Sequence, residues 1–514
     1  MLASSKKKFI VDVKRALRLG ALLIFIASFC CYSVMLAEFA KFSESPRPSN
    51  GETLQQPFLK GTGGSDNFRI PAMVTLDDGS IITAADARWN HLQDSSGLDT
   101  IVSVSQDNGN TWRYTFANYF GDNGNVRNDG STCFIDPALA TDGTTAYMIV
   151  DVNPSGYATS SSTYMPLKGK TGFDDQNRLL LREKDSVKLD FGSLSYGLAC
   201  HLAPYDYYLD YTDNTKSKYG IFSRESGERM DGYEVDLFFN ITYYDNGEKK
   251  TSNLFYVTSP FQVYPAPYLY LTSTTDGINW SAPTLLNLKS NDEESLLVGP
   301  GNGVYDEKND RLVFTAYYHN WSQPEYASLI WRDGNGNWHR SENITTNGWS
   351  SESTAVLLDD GRLRVFYRGG EEVLCYTDMV FDETRGNYFR DPNASEIKTS
   401  ATKTANCQLS ALLYKQTYGG KQWIFVSAPT GANRKRIDGV VHGFVLEEDG
   451  SMTYVVSRPV KEGSFAYSCL TELNDGHLAI LYEGEAGEIL FEKINVTWFW
   501  DKYNQMQGGN QGNH

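Results

Sequence analysis

With 514 residues and 57.6 kDa the chain is long enough to bury a large core, and its 21% charged and 13% aromatic residues exclude a disordered polymer. The formal net charge of −17 excludes a protein whose partner is nucleic acid, because such a face must be cationic. Seven Lys and Arg against two acids fall within residues 1–41, so the remainder carries −22 and can meet an anion only through a cationic pocket set into it.

In chain order, residues 1–18 form a basic leader, with Lys6, Lys7, Lys8, Lys14, Arg15 and Arg18. Residues 19–37 are a nearly uninterrupted apolar run that as a helix would span about 28 Å, close to a bilayer core. The cationic flank predicts a cytosolic N-terminus and an exported body, a type II plasma-membrane protein. The competing reading is a cleaved secretory signal ending near Cys31-Tyr32-Ser33, which also exports the body. Residues 38–57 read as a flexible stalk. From 58 to 499 the pattern is period-two alternation broken by turns, as at Asp77-Asp78-Gly79, Asp359-Asp360-Gly361 and Asn474-Asp475-Gly476. No long amphipathic helix interrupts it. The expectation is an all-β repeat architecture, sandwich or propeller. Residues 500–514 are expected to be a polar tail, disordered from Gln505. Cys133, Cys200, Cys375, Cys407 and Cys469 include no Cys-x-x-Cys pair, so no zinc site is expected, and one or two disulfides stay open for an exported chain.

Ser105-Gln106-Asp107-Asn108-Gly109-Asn110-Thr111-Trp112 fits the form Ser-x-Asp-x-Gly-x-Thr-Trp at every fixed position. The Asp can accept from nearby backbone N–H groups, the Gly takes a positive φ, and the Trp packs the turn on its strands. Weaker copies stand at Ser273 to Trp280 and Asp333 to Trp338. This is the Asp box, a structural turn, and its repeats resemble those of sialidases. Phe68-Arg69-Ile70-Pro71 lies 36 residues ahead of the first box, counted from Arg69, as a similar tetrapeptide does in sialidases. The chain therefore resembles exo-α-sialidases of the bacterial and protozoan type. The resemblance implies a six-bladed β-propeller and no cofactor or metal. The segment of about 155–268 is too long to join two blades. It looks like the β-rich insertion of some bacterial sialidases, its many tyrosines either stacking on a leaving-group sugar or forming a small core.

A sialoside carries a carboxylate on its anomeric carbon, and planar guanidinium groups pair with carboxylates bidentately. The resemblance assigns that task to Arg69, Arg368 and Arg436, with Arg434 a near neighbour of the last. Sialidases use Tyr as nucleophile where most glycosidases use Asp or Glu. Tyr467, in Phe465-Ala466-Tyr467-Ser468, resembles that residue, and Glu352 resembles the base it needs to lose its proton. Asp94, in the loop Asn90 to Asp99, resembles the acid/base, with Asp99 the weaker candidate. Arg88 and Asp136 resemble residues that contact the sugar's hydroxyl and N-acetyl side, and Glu483 the one that orients the first arginine. The implied function is a retaining exo-α-sialidase acting on sialylated glycoconjugates. Transfer to a sugar acceptor, or a non-catalytic sialic-acid-binding adhesin, are the alternatives.

Overall fold

The computed structural model describes residues 53–510 apart from 95–96, 121–131, 155–169, 187–201, 257–258, 292, 320–324, 346–347 and 394–395. The basic leader and apolar run at 1–37 lie outside the described residues.

Six mainly antiparallel sheets follow one another along the chain and form a six-bladed propeller. Each runs from its innermost strand outward, with Thr53–Leu54 added to the outer edge of the first and Gly301–Asn302 pairing parallel to the inner strand of the second. The innermost strands are Phe68–Thr75, Cys133–Thr141, Ser295–Val298, Ser353–Leu357, Ser410–Tyr418 and Ser468–Glu472, in blades 1 to 6. Alternation explains the layering: residues on both faces of these strands meet a neighbouring blade, so five of the six are buried almost throughout, while Ser410–Tyr418 is buried at its start and exposed from Lys415 to Thr417. Because strands within a blade run antiparallel, the turns after the first and third strands share one end of the propeller. The loops after the second strands share the other end with the N-terminal ends of the innermost strands.

The Asp boxes occupy the third turns of blades 1, 2 and 3. In the first, Asp107 accepts from the N–H of Asn110 (3.1 Å) and Thr111 (2.8 Å), and Ser105 Oγ accepts from Gly109 N (2.8 Å). Asp276 and Asp333 do the same in their turns. Blade 4 has an unanticipated counterpart: Asp382 accepts from Thr384 N (2.9 Å) in the equivalent turn.

The insertion departs from the opposite end. Ala146–Asn153 and Tyr268–Thr274 pair directly in blade 2, and the chain between them builds a separate seven-stranded sheet. Its tyrosines answer the question the sequence left open in favour of packing. Tyr205, Tyr207, Tyr233 and Tyr243 pack on one hydrophobic cluster with Phe239, Phe255 and Phe261, while Tyr211 and Tyr244 stay exposed.

The ring closes through the N-terminal segment, where Phe58 bridges to Ile489 of blade 6. The expected polar tail is corrected at its start: Thr497–Asn510 is an α-helix. Asn495 Oδ1 accepts from Thr497 N (3.0 Å), and Trp500 stacks on Tyr418 at 4.6 Å. Docking of Phe499, Trp500 and Tyr503 on blade 5 outweighs the poor helix propensity of the Gly and Asn that follow. Cys133, Cys375, Cys407 and Cys469 are buried free thiols.

Candidate active site

Two local irregularities aim side chains at the mouth of the channel. Phe68-Arg69-Ile70-Pro71-Ala72 opens the inner strand of blade 1, and Phe134-Ile135-Asp136-Pro137-Ala138 sits at the matching place in blade 2. In each, the residue before Pro has a positive φ, 60° at Ile70 and 62° at Asp136, and the pairing register slips across it. Such bulges re-aim side chains next to functional sites. The slip turns Ile70 N toward Glu483, whose Oε1 accepts from it at 2.8 Å. A third bulge, at Asp438 (φ 59°) between Ile437 and Gly439, follows Arg436 in blade 5.

Tyr467 is buried at the centre. Its hydroxyl donates to Glu352 Oε1, and Arg368 Nη1 donates to Glu352 Oε2 at 3.0 Å. The guanidinium carbons of Arg69 and Arg436 each stand 5.2 Å from its ring centroid. Arg69 Nε donates to Glu483 Oε1 (3.1 Å) and Nη1 to Asp94 Oδ1 (3.3 Å). Arg88 is fully buried, bonded to Asp86 Oδ2 (2.8 Å), Leu92 O (3.0 Å) and Asp94. Asp136 N donates to Asp86 Oδ1 (3.1 Å). The nine residues singled out in the sequence thus form one network on the insertion's side of the propeller.

Their electrostatics divide them. Burial drives the Tyr467 phenol well above its ordinary value, and the Glu352 charge adds to it, so the hydroxyl holds its proton within its hydrogen bond to Glu352. Burial also works against ionised Asp94, but Arg88 and Arg69 outweigh it and keep its carboxyl below the usual range. Asp136 is raised far above that range by burial and by the charges of Asp86, Asp151 and Glu352. Asp86 is raised by burial despite Arg88.

The weaker candidates are placed elsewhere. Asp99 is buried, taking Trp89 Nε1 (3.2 Å) and Phe120 N (2.6 Å). Arg434 is exposed, with Nη2 on Gly370 O (3.1 Å). Arg88 presents no free face in this structure, and its outermost contact is with Asp94. Residues missed in the sequence are Asp86, whose signal was an acid within the apolar strand Ile81–Ala87, and Trp349, whose ring lies 5.4 Å from the Arg368 guanidinium carbon.

No family model matches the chain. Anhydrosialidase of Macrobdella decora is 28% identical over 475 residues, covering 82% of this chain and 58% of the relative. Sialidase B of Streptococcus pneumoniae is 27% identical over 444 residues, covering 81% and 61%. The chain spans about three-fifths of the length of these curated relatives. Among solved structures it is similar to a leech intramolecular trans-sialidase complexed with 2,7-anhydro-Neu5Ac, with a TM-score of 0.70 at 24% identity over 87% of this chain and 71% of the other. It is also similar to an intramolecular trans-sialidase from Ruminococcus gnavus, with a TM-score of 0.69 at 24% identity over 86% and 97%.

Proposed function

Taking the chain as a six-bladed propeller of the sialidase family, we propose that it is a retaining exo-α-sialidase, releasing terminal sialic acid from glycoproteins, glycolipids or oligosaccharides. The observation that carries this reading is the buried Tyr467 hydroxyl on Glu352, ringed by Arg69, Arg368 and Arg436. The three guanidinium groups take the substrate carboxylate. Tyr467 Oη attacks the anomeric carbon as its proton passes to Glu352, while Asp94 protonates the departing glycosidic oxygen. A neutral nucleophile suits this carbon, since a carboxylate would be repelled by the one it carries. Asp94 then takes a proton from water, the hydroxide displaces tyrosine, and Glu352 returns the phenol's proton.

Asp94 begins ionised, and its two arginine partners hold it so. A substrate carboxylate on Arg69 neutralises one of them and lifts Asp94 toward the acid it must become. A second reading has the sugar's own hydroxyl replace water, leaving 2,7-anhydro-Neu5Ac. It is favoured by the similarity to the leech and Ruminococcus enzymes. Mass spectrometry of the products from 3'-sialyllactose separates the two: free sialic acid carries one water more than the anhydro sugar. With a fluorogenic sialoside as donor, sialyllactose formed on adding lactose would favour the acceptor reading, and no turnover at all the adhesin. The proposal includes an exported body held by residues 19–37 as a signal-anchor; its support is the charge and length of that run. Full-length protein should resist carbonate extraction from membranes, and mature protein starting near Ser33 would overturn the anchor.

A further inference from the structure

Tyr467 lies one residue ahead of Ser468–Glu472, the inner strand of blade 6, and that strand has one edge on the central channel. On the blade side Glu483 N donates to Tyr467 O at 2.9 Å. The N–H and C=O of the next residue, Ser468, therefore point the other way. Among the described residues no strand pairs with that edge. A buried backbone group left unpaired there would destabilise the strand, so these groups must find partners.

Gln408 takes the place of the missing strand. Its Oε1 accepts from Ser468 N (3.0 Å) and its Nε2 donates to Ser468 O (3.1 Å), the two bonds a neighbouring strand would make. Nε2 also donates to Pro300 O at 3.3 Å. Gly301, at φ 116°, leaves room beside it: a Cβ there would stand 3.2 Å from Nε2. The next rung is built the same way, with Leu470 N donating to Ser410 Oγ (3.0 Å) and Asn302 Nδ2 to Leu470 O (3.0 Å). Only a carboxamide offers a donor and an acceptor at one planar end, so neither Glu nor an apolar side chain can make both bonds to Ser468 at neutral pH.

We propose that Gln408, which is 1% exposed, is a positioning residue for the covalent step. It holds the backbone at Tyr467-Ser468 so that the phenol stays on Glu352 and aligned with the anomeric carbon. The inference rests on the reading of Tyr467 as nucleophile. It predicts a particular split, because the arginines that bind the carboxylate are held by other groups, Arg69 by Glu483 and Arg368 by Glu352.

The test compares full-length wild type, Gln408→Met and Gln408→Glu. Each is measured for kcat, for the rate at which 2,3-difluorosialosyl fluoride labels Tyr467, and for Kd of 2,3-didehydro-2-deoxy sialic acid. In Gln408→Met, kcat and labelling rate should both fall about a hundredfold, as a misplaced reacting group would cause, with Kd within twofold of wild type. In Gln408→Glu the lost donor returns on protonation, so kcat relative to wild type should rise as pH is lowered. Unchanged labelling, or an equal loss of inhibitor affinity, overturns the positioning role. If Gln408→Met fails to fold, a pH-independent ratio for Gln408→Glu overturns it instead. Failure to label Tyr467 in the wild type would remove the nucleophile and this inference together; a labelled wild type with an equally fast variant would remove only the inference.

Discussion

Ile70 holds a backbone conformation that a β-branched residue rarely adopts, φ 60° ahead of a proline. Strain of this kind costs on the order of 1–3 kcal/mol and persists only where surrounding contacts over-determine it. Here the contacts are Glu483, which takes both Ile70 N and the Arg69 guanidinium, and packing of Ile70 with Cys407 and Tyr467. Arg436 and its near neighbour Arg434 are separated by where the loop aims them. Arg436 faces the tyrosine ring while Arg434 faces solvent. Removing one arm of a buried charge pair costs about 2–5 kcal/mol, so Arg436→Ala should lower kcat/KM by roughly 30-fold to several-thousand-fold and Arg434→Ala should be nearly silent; the reverse ranking would put the wrong arginine on the substrate. Asp94 makes a pH prediction. A general acid works protonated, and the free enzyme holds this carboxyl below its ordinary value through Arg88 and Arg69 against the effect of burial. Binding a carboxylate at Arg69 raises it. The falling limb at high pH should therefore lie at higher pH in kcat than in kcat/KM. Asp94→Ala should lose that limb and impair natural glycosides far more than substrates with acidic phenol leaving groups. Limbs at the same pH would mean that substrate leaves the partners of Asp94 unchanged.

At the scale of the element, the Asp box shows how a local turn acquires a tertiary duty. Its hydrogen bonds are internal, but Gly109, at φ 81°, also lies against Phe491 of blade 6, where a Cβ would come within 2.3 Å of the ring. Trp112 meets the same ring edge-on at 5.0 Å. Gly109→Ala combines a disfavoured φ, worth about 1–2 kcal/mol, with overpacking, worth about 1–3 kcal/mol. It should lower the denaturation midpoint by the equivalent of about 2–5 kcal/mol while leaving KM unchanged, because the turn is at the end of the propeller away from Tyr467. A change in KM with no change in the midpoint would contradict that separation. The C-terminal helix makes the complementary point: Gly508, Gly509 and Asn510 at its end favour no helix, and the aromatic stripe ahead of them makes one by docking.

For the whole molecule, closure rests on residues 53–58. Thr53–Leu54 pair with the outer edge of blade 1, Ser103 Oγ donates to Pro57 O (2.7 Å), Phe491 N donates to Gln56 Oε1 (2.9 Å), and Phe58 bridges Ile489. A short segment thus ties the first blade to the last. Phe58 is fully buried, so Phe58→Ala should cost about 3–5 kcal/mol, read as a shift in the urea midpoint. A shift below 1 kcal/mol would mean that the blades hold the ring without it. Closure also brings Arg69 to Glu483 across 414 residues, and the insertion stands at the same end of the propeller as that pair.

The all-β class, the Asp boxes and the identities of Arg69, Glu352, Arg368, Tyr467 and Glu483 were legible in the sequence, since turn chemistry and strand alternation are local and a short motif keeps its residue types together. The order of motifs along the chain, with the resemblance it carried, was enough to collect nine residues. Their relations were decided by the tertiary structure. Nothing local indicates that Arg88 is enclosed by Asp86 and Asp94, that Asp99 serves Trp89 and Phe120, or that the amide of Gln408 completes the edge of a strand 60 residues further on. The pKa directions belong to the same class, because burial and the charges around a group are sums over blades far apart in sequence. A period-two pattern specifies which side chains face inward, whereas the closing of the ring specifies what they face.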